Sequence, residues 1–494
     1  MEPDVIEKKV KLNHKLKVIS VVVPCIALAW AIIWSVFNYV INKPNNVVEN
    51  PITQEISEQF LELDLLISIG NLSQQYTKDT VEEMIRKGME YFFKDSFWEH
   101  SQNDILTLRQ NAEQGYSEAQ YSLGLMYRFG HDGIEQDDAT AFFWLYEAAS
   151  QEHIEAQSIL CELYYHGIGT PKDFVQAEYW ARRSAEQGSK MGQFYIGVMY
   201  FNGEVVAQNY KQSAYWFHRA AEQGHMQGQY NLAAMYILGL GVHQDNAQAI
   251  YWLQQSAEQG YEDAMLQLGA RYYLGLDVEQ DYTRAAYLFN PVAEQGNKCA
   301  QFILGEMYAH GEGVLRNDVM AVYWYRQAAE QDYAEAQYKL GFMYYRGRGV
   351  MLDYAQALQW FYKAAEQGYM KAQYNVGMMY HLGQGVDINF EQAIYWYHQA
   401  AEQGEVWAQS NLGAMYYIGQ FVPEDFNQAA YWYRQAAEQG LAMAQYSLAG
   451  LYAFGYGVEQ SYTEATYWFE KAANQGFELA QNELDLLRIN GHIR

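Results

Sequence analysis

The sequence predicts an all-α solenoid of helix-turn-helix repeats behind one N-terminal transmembrane helix. Three observations carry this. Tyr recurs at 127, 164, 200, 236, 272, 308, 344, 380, 416 and 452, at intervals of 36 after one of 37. Trp keeps the same beat at 144, 180, 216, 252, 324, 360, 396, 432 and 468. Val18 to Ile41 is a run of 24 residues without a charge. A fixed period of this length marks stacked supersecondary units, whose hydrophobic faces are buried only against their neighbours.

At ~1.5 Å per residue, residues 18–41 span a bilayer core with some tilt. Trp30, Trp34 and Tyr39 lie in the second half of the run, and Tyr39 suits an interface. Lys8, Lys9, Lys11, Lys15 and Lys17 precede it, and only Lys43 follows before Lys78. The positive-inside rule therefore gives residues 1–17 as a cytoplasmic tail and puts the repeats across the membrane. A cleaved secretory signal is the alternative, but the run exceeds a signal core and no small-x-small site follows. Residues 42–75 read as a polar linker and a juxtamembrane helix. Asn50-Pro51 starts that helix, and Ile52, Ile56, Phe60, Leu63 and Ile67 keep helical spacing. It either covers the first repeat or self-associates.

The repeat is clearest from Tyr333 to Gly368. Ala336, Leu340, Met343 and Tyr344 keep helical spacing and predict a first helix, A. Gly347-Arg348-Gly349 breaks it. Asp353 caps a second helix, B, through Ala357, Trp360, Ala364 and Ala365, and Gly368 ends it. The position of Gly341 holds Gly, Ala or Cys in every repeat. Glycine inside a helix costs ~1 kcal/mol against alanine, so its recurrence implies a helix packed close at that point. The repeating Trp and Tyr are expected to fill the space beside these notches.

Ten full repeats run over 116–476. A degenerate one occupies 76–115, and 477–494 reads as a capping helix A without its partner. Repeat five departs from the pattern: Leu288 replaces Trp, Pro291 falls inside helix B, and Gly275-Leu276-Asp277 lacks the second loop glycine. Either the array bends or softens over 275–296, or packing absorbs the drift.

Fifty-nine acids against 32 bases give a net charge of −27, with no basic stripe to suit nucleic acid. The acidity reads as a soluble, self-repelling surface or as steering toward a basic partner. Of the three cysteines, Cys25 lies in the apolar N-terminal run, and Cys161 and Cys299, about four repeats apart, are too far apart along an extended array to pair. No Walker loop, G-x-S-x-G, H-E-x-x-H or C-x-x-C is present. His166, His310 and His381 lie in separate repeats and read as surface histidines, so no metal site is expected. No cofactor or catalytic residue is assigned, and the chain reads as a non-enzyme.

The strings A-x-A-Q-Y-x-L-G-x-M-Y-x-x-G-x-G-V and D-x-x-x-A-x-x-W-x-x-x-A-A-E-Q-G resemble the SEL-1-like repeat family, a relative of tetratricopeptide repeats, over about residues 76 to 494. The resemblance implies a right-handed superhelix acting as an adaptor or scaffold, in bacteria often in the envelope. Cysteine usage and the single N-x-S sequon at Asn71 also lean toward bacteria. The expectation is a single-pass inner-membrane protein with periplasmic repeats. An immunity-type inhibitor of a secreted toxic enzyme is the alternative. The β-lactamase-like activity assigned to some cysteine-rich relatives does not transfer, because their paired cysteines are missing.

In related superhelices helix A lines the concave side, so the face opposite its core stripe is expected to take a protein or peptide partner. That stripe holds Lys339, Phe342 and Arg346 in repeat seven, Lys371, Asn375 and Met378 in repeat eight, and Trp407 and Asn411 in repeat nine. In earlier repeats it holds Tyr195 and Asn231. Asn231, Asn375 and Asn411 share one phase. A row of Asn suits hydrogen bonds to an extended peptide backbone, and Trp407 is the leading single candidate.

Overall fold

The computed structural model describes residues 102–130, 133–203, 205–419, 422–489 and 492. The predicted transmembrane run, linker and juxtamembrane helix lie outside them. Among the described residues there are 22 helices and no strand. No helix among them is long and apolar enough to cross a membrane.

Repeat seven shows why the chain folds in pairs. Helix A is Ala334–Arg346, and Gly347 closes it at φ 63°, a left-handed cap that glycine adopts without steric cost. Helix B is Tyr354–Glu366, with the Asp353 carboxylate accepting from the Gln356 N–H at its start. The Asp353 N–H donates to the Tyr344 carbonyl at 3.1 Å, which fixes the turn. The second loop glycine has a different task. A Cβ on Gly349 would sit 2.2 Å from the Asp318 carbonyl oxygen, at the start of helix B in the preceding repeat. Successive repeats thus touch backbone to backbone there. In repeat five Asp277 holds the equivalent position at φ 61°, and its carboxylate accepts from the Asn246 side chain at 2.6 Å.

Ala336, Leu340 and Met343 are buried as the stripe requires. The notch is filled differently from expectation. A Cβ on Gly341 would meet the Phe361 ring at 2.8 Å, one on Gly377 the Tyr397 ring at 2.8 Å, and one on Gly305 the Tyr325 ring at 2.5 Å. The filler is therefore the residue after the Trp, one helical step round. The Trp side chains pack backward instead, Trp396 edge-on to Tyr362 and Trp432 edge-on to His398 in the preceding helix B. The repeating Tyr is half-buried at 344 and takes a hydrogen bond on its hydroxyl from Arg326 at 2.7 Å.

Glutamines complete the join. Gln337, fully buried, donates to the Ala329 carbonyl at the end of the previous helix B. Its own oxygen accepts from Gln367, at the end of its own helix B, at 2.8 Å. The same pair recurs at 120/151, 157/187, 193/223, 229/259, 301/331, 373/403, 409/439 and 445/475. At these joins a carbonyl at the end of helix B is thereby satisfied by the next repeat, and at the join into repeat five Met265 stands in place of the glutamine.

The chain divides into two compact blocks between Gln280 and Asp281, inside repeat five. Its helix B, Tyr282–Glu294, runs through Pro291 at the 13 residues usual for the array. At the C-terminus, Glu478–Ile489 packs Ala480, Leu484 and Leu487 onto the last repeat. Cys161 is buried and Cys299 half-buried, in separate repeats.

Candidate functional site

In the second block the helix A faces of repeats six to nine carry a continuous polar and aromatic cluster. It begins at Glu306, whose carboxylate accepts from the Tyr325 hydroxyl and from Lys339 Nζ at 2.8 Å. Both ions of the Lys339–Glu306 pair are mostly shielded from solvent. Lys339 therefore anchors two repeats to each other and is not a free cation. Next to it Phe342 is half-buried, with the exposed Arg346 guanidinium 5.4 Å from its ring centroid.

Asn375 stands beside Tyr338, and Asn411 beside Tyr374 and Tyr397. Burial is the larger influence on these phenols and raises all three above the ordinary tyrosine value. Met378 packs, half-buried, on the core under repeat nine.

Glu405 begins the next helix A, Val406–Ile418, as its N-cap and accepts from the Ala408 N–H. Burial raises its pKa; backbone hydrogen bonds from Ala408 and Trp407, and the charge of Lys371, work against that rise. Trp407 follows and is 46% exposed. Among the helix A candidates it is the large aromatic left open to solvent, with Lys371, Glu405 and Asn411 on the same face.

Two candidates lie elsewhere in burial. Tyr195 is buried, wedged edge-on to Phe194 at 5.5 Å and beside Tyr165 at 5.9 Å. Asn231 is buried in the first block, and both polar atoms of its side chain lack a partner. The three asparagines share one phase, and Asn375 and Asn411 stand beside tyrosines of the preceding repeat.

His310 is exposed, as a surface reading expects, whereas His166 and His381 are half-buried. His166 is half-buried, and burial, then Lys172 and Arg128, push it down to about 4. Among the described residues no group of three or more His, Cys, Asp and Glu is placed to hold a metal ion. Sequence reasoning missed Glu405, Tyr338 and Glu306. Glu405 had a signal: the corresponding N-cap positions in the other nine full repeats hold Tyr, His, Ser, Asn or Leu, never an acid.

Ten segments match the Sel1 repeat model: 117–153, 154–189, 190–225, 227–261, 262–297, 300–333, 334–369, 371–405, 408–441 and 442–477. Among curated proteins none matches the chain. A protective antigen of uropathogenic Escherichia coli with an SLR fold is similar at 36% identity and TM-score 0.72, over 78% of this chain and 83% of that one. A Sel1 repeat protein from Oxalobacter formigenes shares 30% identity over 78% of this chain and 90% of its own, at TM-score 0.36. An immunity protein from Pseudomonas aeruginosa matches at 19% identity, TM-score 0.24, over 43% of this chain and 81% of that one, and carries no argument about function.

Proposed function

Since the chain belongs to the Sel1 repeat family, whose solenoids suggest protein-interaction scaffolds, we propose that it holds a protein or peptide partner on the helix A face of repeats seven to nine. The supporting observation is Trp407. A half-exposed indole in a row of otherwise packed side chains is costly to leave wet, and Trp is enriched among residues that dominate binding energy. Lys371 and Asn411 beside it supply polar contacts at the rim, and Arg346 extends the face with a further exposed cation. The family is typically non-catalytic, and the chain is read as a scaffold that carries out no turnover.

The finer reading is a single-pass protein of the bacterial inner membrane with its repeats in the periplasm. It rests on the uncharged run 18–41 and the lysines that precede it. Reporter fusions at the C-terminus test it: periplasmic reporter activity agrees, and activity restricted to a cytosolic reporter contradicts it.

For the partner face, a Trp407→Ala, Asn411→Ala double variant is expected to keep wild-type helicity and lose a partner that the wild type recovers from solubilised envelopes. Equal recovery by a folded double variant removes this face from the account.

A further inference from the structure

The last three helices A share an open stripe. Trp407, Met443 and Leu479 stand 36 residues apart at one phase of the repeat, 46%, 49% and 55% exposed. In repeats five, seven and eight the same position is charged, with Asp263, Glu335 and Lys371. Two turns further along each helix, the same face carries Phe342, Met378, Ala414 and Gly450 in repeats seven to ten. The side chains shrink toward repeat ten, and the capping helix then brings the exposed Leu486 to that phase. The result is an apolar furrow with Gly450 on its floor.

Gly450 is the position that asks for a ligand. Glycine inside a helix costs about 1 kcal/mol against alanine. Every other glycine inside a described helix would set a Cβ within 3.1 Å of a neighbouring atom, whereas nothing lies within 4 Å of one on Gly450. Packing among the described residues therefore does not account for it. Its missing side chain keeps the furrow open, which is the use glycine serves where a ligand approaches the backbone closely.

The charges give the occupant its sign. Helices A of repeats nine and ten, Val406–Ile418 and Ala442–Phe454, carry no charged side chain. Glu405 borders the furrow at the start of the first, with Lys371 beside it on repeat eight. Glu478 and Glu483 border it on the capping helix, Glu483 at the phase of Asn411. Arg488 is paired with Asp485 at 2.9 Å. The rim is acidic on balance.

We propose that this furrow seats an apolar peptide segment of a partner protein that carries Lys or Arg beside its apolar side chains. The apolar side chains lie along Trp407, Met443 and Leu479, and one reaches down to Gly450. The bases turn to Glu405 and Glu483, so charge complementarity fixes the register. The proposal rests on the helix A face as a partner surface. It names the partner's chemistry and extends the contact to repeat ten and the capping helix.

The test places benzoylphenylalanine at position 443 or 479 of the full chain, irradiates intact cells, and sequences the crosslinked segment by mass spectrometry. Both positions are expected to catch the partner caught from 407, through a stretch of aliphatic residues with Lys or Arg. Gly450→Leu fills the furrow and is expected to abolish the product from 479, with a thermal midpoint no lower than that of the wild type. Glu405→Gln with Glu483→Gln is expected to cut the yield several-fold. Glu438→Gln, an exposed acid at the end of a helix B, is expected to leave it unchanged. Full yield in folded Gly450→Leu overturns the proposal. So does a product joined through an acidic or uncharged segment, to lipid, to a second copy of this chain or to its own N-terminal residues. A partner caught from 407 but from neither 443 nor 479 overturns the furrow and leaves the scaffold reading standing. No product from any of the three positions removes both.

Discussion

Single side chains in this protein are judged by the atom they would touch. Gly341→Ala gains helix propensity, about 1 kcal/mol, but puts a Cβ 2.8 Å from the Phe361 ring. Overpacking of that kind costs about 1–3 kcal/mol, so the net expectation is a lower thermal midpoint. Gly450→Ala is the control: nothing lies within 4 Å of its added Cβ, and the midpoint is expected to rise. Calorimetry on both variants checks the pair, and two shifts of the same sign would refute the notch. His225 gives a pH prediction. It caps helix Met226–Leu238 by accepting from the Gly228 N–H on Nδ1, and stacks on Phe194 at 4.6 Å. Burial, then the charge of Lys190, push it down from 6.5 to about 3. The folded chain therefore wants the ring neutral, and acid charges the unfolded chain first. Its contribution is intact above pH 6.5 and drains away as pH falls toward 3. His225→Asn keeps a cap acceptor and cannot protonate. Denaturant titrations at pH 7.5 and 5 are expected to show a smaller acid loss in the variant than in the wild type.

At the scale of the helix pair, the glutamine clamp is the part that a sequence reading passes over. Glutamine at the A-x-A-Q and A-E-Q-G positions looks like ordinary surface polarity. The structure buries Gln337 and makes it join one repeat to the previous one. Gln337→Ala strands the Ala329 carbonyl and the Gln367 amide, and is expected to cost roughly 1–3 kcal/mol in denaturant unfolding. A loss no larger than that of an exposed glutamine would refute the clamp. What was legible at this scale was whatever repeats as a shape: helix A, helix B, the glycine break and the aspartate cap each leave a period. What was not legible was which of two adjacent aromatics fills the notch. Trp360 and Phe361 differ by one step of about 100°, and spacing alone does not say which side faces the glycine.

For the whole molecule, ten repeats and the small-residue pattern were enough to name the architecture, because every repeat states the same instruction again. The partner face was harder to read. Surface positions carry no period once they vary, and burial of Tyr195 and Asn231 depends on neighbours from other helices. Trp407 was visible because a large aromatic stood in an outward phase. Its role is the central claim, and site-directed photocrosslinking tests it most directly. A benzoylphenylalanine at position 407 and, as a control, one at the half-exposed Tyr395 on helix B are each irradiated in intact cells. The account predicts a discrete crosslinked partner from position 407 and none from 395. Crosslinks from 395 alone, or the same products from both positions, would contradict it.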